Sequence, residues 1–133
     1  MKYKFNQCIA SKLSRLSRIT DNRVRKIVTD FDITESQMNI LFALSELGKV
    51  EQGKIGQSLV LERSSVSRSV RILEKRNMIQ RTSEYRPEIE LTEKGKDVVA
   101  KLIPLWEDFM DEICGELGKD GIVMIDNLEE KIA

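Results

Sequence analysis

The sequence predicts a mainly α-helical fold carrying one short β-hairpin. Three observations predict it. Apolar residues recur at three- and four-residue steps along most of the chain, as on the buried face of a helix. The period drops to two only around Ile79–Thr82 and Glu88–Leu91, as in strands. Two short helical segments, 51–59 and 63–76, are separated by Val60, Leu61 and Glu62 alone. A length of 133 residues suits one domain, and 41% hydrophobic residues suffice for a core. The 33% charged residues point to long helices with solvated faces.

Each element follows from local pattern. From 5 to 31, Phe5, Ile9, Leu13, Leu16, Ile27, Val28 and Phe31 form one apolar face, opposite Lys and Arg. This predicts a helix of about seven turns, longer than a small domain covers, so a partner subunit is expected to cover it. Thr34 and Gln37 read as a capping box. The helix they open carries Met38, Leu41, Phe42, Leu44 and Leu47 almost all round, which places it in the centre of the core, and Gly48 ends it. Residues 51–59 turn Ile55 and Leu59 inward, and residues 63–76 bury Val66, Val70 and Leu73. Two short helices across so tight a turn read as a helix-turn-helix, with Gly56 where they pack closely. Asn77 is a left-handed helix end, and the strands after it enclose the turn-forming run Ser83-Glu84-Tyr85-Arg86-Pro87. Such a hairpin after a helix-turn-helix is a wing.

Thr92 caps the last long helix, whose apolar face holds Val98, Val99, Leu102, Ile103, Trp106, Phe109, Met110, Ile113 and Leu117. Pro104 is expected to kink or split it near Ile103. Gly118 and Gly121 are expected to break the chain before a final short helix with Ile122, Ile125, Leu128 and Ile132. The predicted class is therefore a winged helix-turn-helix with a short β-hairpin wing and long N- and C-terminal dimerisation helices. Residues 1–133 make a single domain, with 1–31 and 92–133 dimerising and 32–91 forming the winged lobe.

Composition excludes much chemistry. Histidine is absent, which removes the commonest zinc ligand and the nucleophile–histidine catalytic pairs. Cys8 and Cys114 are the only cysteines, so no disulfide framework or paired-cysteine metal site is written here. No cofactor, no metal and no catalysis are expected. No stretch approaches the ~18 apolar residues of a membrane span, and the N-terminus leads into no apolar signal core, so the expected location is cytoplasmic, with no membrane partner.

A net charge of zero conceals an asymmetry. Residues 49–86 carry nine basic and four acidic side chains, whereas residues 87–133 carry five and thirteen. Such a field steers a polyanion to one region and repels it from another. The basic region centres on 63–76. Once its apolar stripe is set aside, Ser64, Ser65, Ser67, Arg68, Arg71 and Lys75 remain, and Ser64, Arg68, Arg71 and Lys75 fall on one line. Small hydroxyls let a helix approach base edges, and arginine offers two parallel donors to guanine in the major groove. Arg81 and Arg86 are the basic residues a wing presents to phosphate or minor groove, with Tyr85 or Pro87 against sugar. The expected partner is double-stranded DNA.

Four segments resemble, in register, the MarR (multiple-antibiotic-resistance repressor) family of winged-helix transcriptional regulators. They are Asp32-Ile33-Thr34-Glu35-Ser36-Gln37, Ser64-Ser65-Val66-Ser67-Arg68-Ser69-Val70, Leu73-Glu74-Lys75-Arg76-Asn77-Met78-Ile79-Gln80-Arg81 and Leu91-Thr92-Glu93-Lys94-Gly95. The resemblance implies a homodimer whose first and last helices interlock, acting as repressor or activator on a pseudo-palindromic operator. It implies Ser64, Ser65, Ser67 and Arg68 as major-groove readers and Arg86 as the wing-tip arginine. The wing here is several residues shorter than the family's, which usually carries an Asp-Arg-Arg run. The alternative reading is a winged-helix protein-interaction or adaptor module that has lost specific DNA binding.

Other residues carry two readings each. Cys8, near Lys4, Lys12 and Arg15, is either a peroxide-sensing thiol or a small packing residue, and the tyrosines that accompany such a sensor have no counterpart between Cys8 and Phe31. Cys114 is expected in the core. Trp106, Phe109 and Met110 either line a pocket for a small-molecule effector, of aromatic type, or simply pack. Glu107, Asp108, Asp111, Glu112 and Glu116 form either a cation site or a solvated acidic face.

Overall fold

The computed structural model describes residues 1–82 and 85–133. Five helices and three short strands follow in the order α1 (Ile9–Val28), α2 (Glu35–Leu47), β1 (Val50–Glu51), α3 (Gln52–Leu59), α4 (Arg63–Lys75), β2 (Ile79–Arg81), β3 (Glu88–Leu91) and α5 (Glu93–Ile132). The strands form an antiparallel sheet in the order β1-β3-β2, with Val50 opposite Ile89 and Ile79 opposite Leu91. This is the expected winged helix-turn-helix. The strand β1 was not expected, because two residues are too few to show a period of two; it adds an outer strand to the hairpin.

The core gathers one edge of every element of the lobe. Ile40, Leu41 and Leu44 of α2, Ile55 of α3, Val66, Val70 and Leu73 of α4, Ile79 and Ile89 of the sheet, and Val99 and Leu102 of α5 are all buried. Each such side chain contributes about 1.5–3 kcal/mol of burial. Leu47, expected among them, is exposed at the end of α2. The capping box stands as expected: the Gln37 N–H donates to Thr34 Oγ1 at 3.1 Å, and the Thr34 N–H donates to Gln37 Oε1 at 3.0 Å. That exchange also gives the amide oxygen of buried Gln37 its partner.

The long first helix is interrupted. Phe5–Gln7 is a 3-10 turn and Thr29–Phe31 another, with α1 between them. Cys8 takes an extended conformation (φ −65°, ψ 108°), and Asp32 is left-handed with φ 54°. Only Val24 and Val28 of α1 are buried, whereas Ile9, Leu16 and Ile19 are exposed. In α5 the backbone stays helical through Pro104, whose ring is solvent-exposed. The break comes at Gly118 (φ 70°, ψ 174°), as expected, while Gly121, expected to share it, remains helical. Beyond it Val123, Met124, Ile125, Leu128 and Ile132 are exposed.

Two joints fix the lobe to these helices. At the first, the Arg76 guanidinium at the end of α4 donates to the backbone carbonyls of Asp32 and of Phe31, the latter at 3.0 Å. Beside it a cleft between α1 and α2 holds Asp21, Arg25 and Glu35. Partial burial, with the Asp21 carboxyl alongside, raises the Glu35 pKa from 4.5 to about 7, against the pull of Arg25. At the second joint, left-handed Asn77 (φ 60°) turns the chain out of α4, and its carbonyl accepts from Thr92 Oγ1. The Thr92 N–H donates to Met78 O at 3.1 Å, and the Gly95 N–H donates to Thr92 Oγ1 at 3.1 Å. A Cβ on Gly95 would lie 2.1 Å from Met78 O, so only glycine lets α5 approach the start of β2.

Two outcomes follow from these joints. Gly95→Ala forces apart a backbone contact pinned on both sides, and should cost about 2–3 kcal/mol in urea denaturation; an unchanged midpoint would contradict the close approach. Folded Glu35 holds its proton up to about pH 7 and unfolded Glu35 only to about 4.5, so the folded state binds the extra proton between them. Stability therefore falls as pH rises through that window. Asp21→Asn removes the like charge but not the burial, and thermal melts at pH 5 and 8 should show a smaller fall than in the parent. An equal or larger fall would show that Asp21 does not load Glu35.

Candidate nucleic-acid interface

The helix-turn-helix is held by its turn. Val60 ends α3 in the left-handed region with φ 53°, and the Leu61 N–H donates to Gly56 O at 2.9 Å. A Cβ on Gly56 would stand 3.3 Å from Val66 Cγ2, so a small residue here lets α3 sit close against α4, as expected. With Val66, Val70 and Leu73 pressed inward at 2%, 0% and 0% exposure, the rotation of α4 about its axis is fixed. At 3.6 residues per turn the opposite side carries Ser64, Arg68, Arg71 and Lys75, and all four are exposed. Ser65 and Ser67 are half-buried on the flanks, Ser65 accepting from Arg68 Nη2 at 3.4 Å.

The wing separates two of the predicted residues. Arg86 is exposed at its tip, together with Tyr85 and Pro87. Ser83 and Glu84, predicted in the same turn, lie outside the described residues. Arg81 stands at the base, on β2, and its guanidinium is engaged within the lobe. Its Nε donates to Glu74 Oε1 at 2.9 Å and its Nη2 to Gln52 Oε1 at 2.7 Å. Gln52 in turn donates from Nε2 to Ser67 Oγ at 3.0 Å. Gln52 and Glu74 escaped the sequence reading. Nothing local marks Gln52 at the start of α3 as a partner of a strand residue 29 positions on.

The remaining candidates spread over the molecule. Trp106 meets Phe42 edge to face, ring centroids 5.4 Å apart. Both line a cleft of about 410 Å³ with Ala43, Leu59, Val99 and Ile103. Phe109 packs against the core and is not in that lining, nor is Met110. Cys8 and Cys114 are both half-buried, the latter short of the full core position expected. Of the acidic residues on α5, Glu116 and Glu112 face Arg23 of α1 at 2.5 and 3.7 Å, and this contact holds the Glu116 carboxyl below its ordinary range. Among the described residues no three carboxylate or cysteine side chains converge as metal ligands, and no helix is long and apolar enough to cross a membrane.

A tight helix-turn-helix with an outward cationic second helix and a hairpin behind it defines a winged helix-turn-helix protein. Comparison with known proteins shows what the chain is similar to. Residues 33–84 match the model of the MarR family. The chain is 26% identical over 118 residues to the HTH-type transcriptional regulator SarZ of Staphylococcus epidermidis, covering 83% of this chain and 80% of that protein. It superposes with a TM-score of 0.78 on a MarR family transcriptional regulator from Silicibacter pomeroyi, at 26% identity, covering 96% of this chain and 88% of that one. With BpsR of Bordetella bronchiseptica, solved to explain how 6-hydroxynicotinic acid regulates its DNA binding, the TM-score is 0.86 at 20% identity over 98% and 96% of the two chains. Residues 33–84 are thus similar to the MarR family, and the whole chain has the fold of the winged-helix regulators it superposes on.

Proposed function

We propose that this chain is a sequence-specific transcriptional regulator, not an enzyme, that binds double-stranded DNA in the cytoplasm as a homodimer on a pseudo-palindromic operator. The observation that carries the reading is the fixed rotation of α4, which leaves Ser64, Arg68, Arg71 and Lys75 in one exposed line. Ser65 and Ser67 flank that line and complete the surface that enters the major groove. Arg86 reaches phosphate or minor groove from the wing. Arg81, with donors to spare beyond Glu74 and Gln52, supports the backbone contact from the wing's base. The likeness to SarZ and the DNA binding of BpsR point the same way. A pure adaptor module has no use for this cationic line.

Dimerisation through residues 1–31 and 92–133 rests on apolar surface that one chain leaves open. Leu16 is 59% exposed on α1, and Met124 is 62% exposed beyond Gly118 on α5. Paired subunits place two copies of α4 about 34 Å apart, one turn of duplex. The cleft beneath Trp106 lies between α2, α3 and α5, a place from which a small apolar effector shifts the lobe against the dimer helices. Regulation of BpsR by 6-hydroxynicotinic acid makes a small aromatic ligand the first class to test.

Arg68→Ala should weaken specific binding by about 1–3 kcal/mol and relax base preference at one position in each half-site, read by gel shift against single-base variants of a bound duplex. Native affinity with unchanged preference would remove Arg68 from the interface.

A further inference from the structure

The hydrogen bonds that run from the wing into α4 have only one direction. Arg81 Nη2 and Gln52 Oε1 lie 2.7 Å apart, and Gln52 Nε2 and Ser67 Oγ lie 3.0 Å apart. A guanidinium carries five N–H donors and no acceptor, so the group facing it must be the amide oxygen of Gln52. The amide nitrogen, itself only a donor, is thereby turned to Ser67. The Ser67 oxygen must accept. Its single proton is then left to donate elsewhere.

The ordinary fate of such a proton in a helix is a bond back to a carbonyl one turn earlier. Thr20 and Thr29 of this chain do so, Thr20 to Ser17 O at 2.9 Å and Thr29 to Arg25 O at 2.6 Å. Among the described residues the Ser67 hydroxyl has no such acceptor. Glu74 holds the other edge of Arg81 through Nε at 2.9 Å, which favours the orientation that faces Gln52. Ser67 sits on the flank of α4 next to the exposed line of Ser64 and Arg71, half-buried and open on one side.

We infer that Arg81 and Gln52 are positioning residues that set the polarity of Ser67, making it a hydrogen-bond donor that selects an acceptor on a base edge. This rests on the reading of α4 as the major-groove helix. The acceptors a single donor finds there are guanine N7 or O6, adenine N7 and thymine O4, whereas cytosine offers only its amino donor. One wing-base arginine thus acts on specificity without touching a base.

The test reverses the polarity. In Gln52→Glu the side chain can only accept: Arg81 keeps its contact as an ion pair, while Ser67 must turn its proton to the carboxylate and present lone pairs outward. The base preferred at one position per half-site should then move from an acceptor-bearing edge to cytosine, which offers only its amino donor. The change expected for one hydroxyl contact is roughly two- to ten-fold in relative affinity between competing duplexes. The added charge should weaken binding to all duplexes about equally, which leaves this ratio unaffected. Ser67→Ala should lose the preference at the same position and nowhere else. Gln52→Leu, which removes the relay without adding charge, should flatten that preference without reversing it, and decides the matter if Gln52→Glu does not fold by thermal melting. If the parent binds duplexes with clear preferences and these variants keep the same base at every position, the polarity relay is wrong while α4 remains the reader. If the parent shows no base preference at all, the reading of α4 fails and the relay with it.

Discussion

The structure turns on the burial of one edge of α4. Val66, Val70 and Leu73 are sealed among Ile40, Leu41 and Leu44 of α2 and Ile55 of α3, in a core where each contributes about 1.5–3 kcal/mol. That free energy fixes more than stability. A helix pinned along three positions on one edge has no freedom to roll, so the side chains opposite are aimed by the packing behind them. The cationic line of α4 is in this sense a consequence of its apolar one, and the direction of Arg68 is decided by Val66 and Val70.

The ends of α4 are tied as firmly as its middle. At its start, Gly56 admits Val66 and the left-handed turn at Val60 sets the distance to α3. At its end, Arg76 reaches back to the carbonyls of Phe31 and Asp32, and Lys94 of α5 donates to the Arg76 carbonyl at 2.8 Å. The end of α4 is thereby joined to the foot of α1 and to the head of α5, the two helices with the most uncovered apolar surface. Hydrogen bonds, and not only the connecting segments, therefore tie α4 to both. The cleft at Trp106 lies apart from this joint, between α2, α3 and α5.

The sequence exposed what is local and hid what is long-range. The Thr34–Gln37 box, the left-handed Asn77, the Thr92 cap and the three apolar positions of α4 were legible, because each depends on spacing within one turn. The break at Cys8 was not, since the apolar steps continue through it. The split expected at Pro104 does not occur, since the backbone keeps helical φ and ψ through an exposed proline. The break falls at Gly118, which takes a positive φ that only glycine adopts freely. In the site, Ser64, Arg68, Arg71 and Lys75 were legible from the period of α4. The engagement of Arg81 by Glu74 and Gln52 was not, because the closure of the sheet against α3 and α4 brings those residues together. Gly95 showed itself only as a residue after a cap, and its purpose appears once Met78 O is seen beside it.

On the proposed function, two copies of α4 address one duplex together. Selection of bound sequences from a pool of random duplexes tests this most directly, because it reads preference, symmetry and spacing in one measurement. Inverted repeats with half-sites centred about 10 base pairs apart should be enriched. Enrichment of solitary half-sites, or of none, would contradict it.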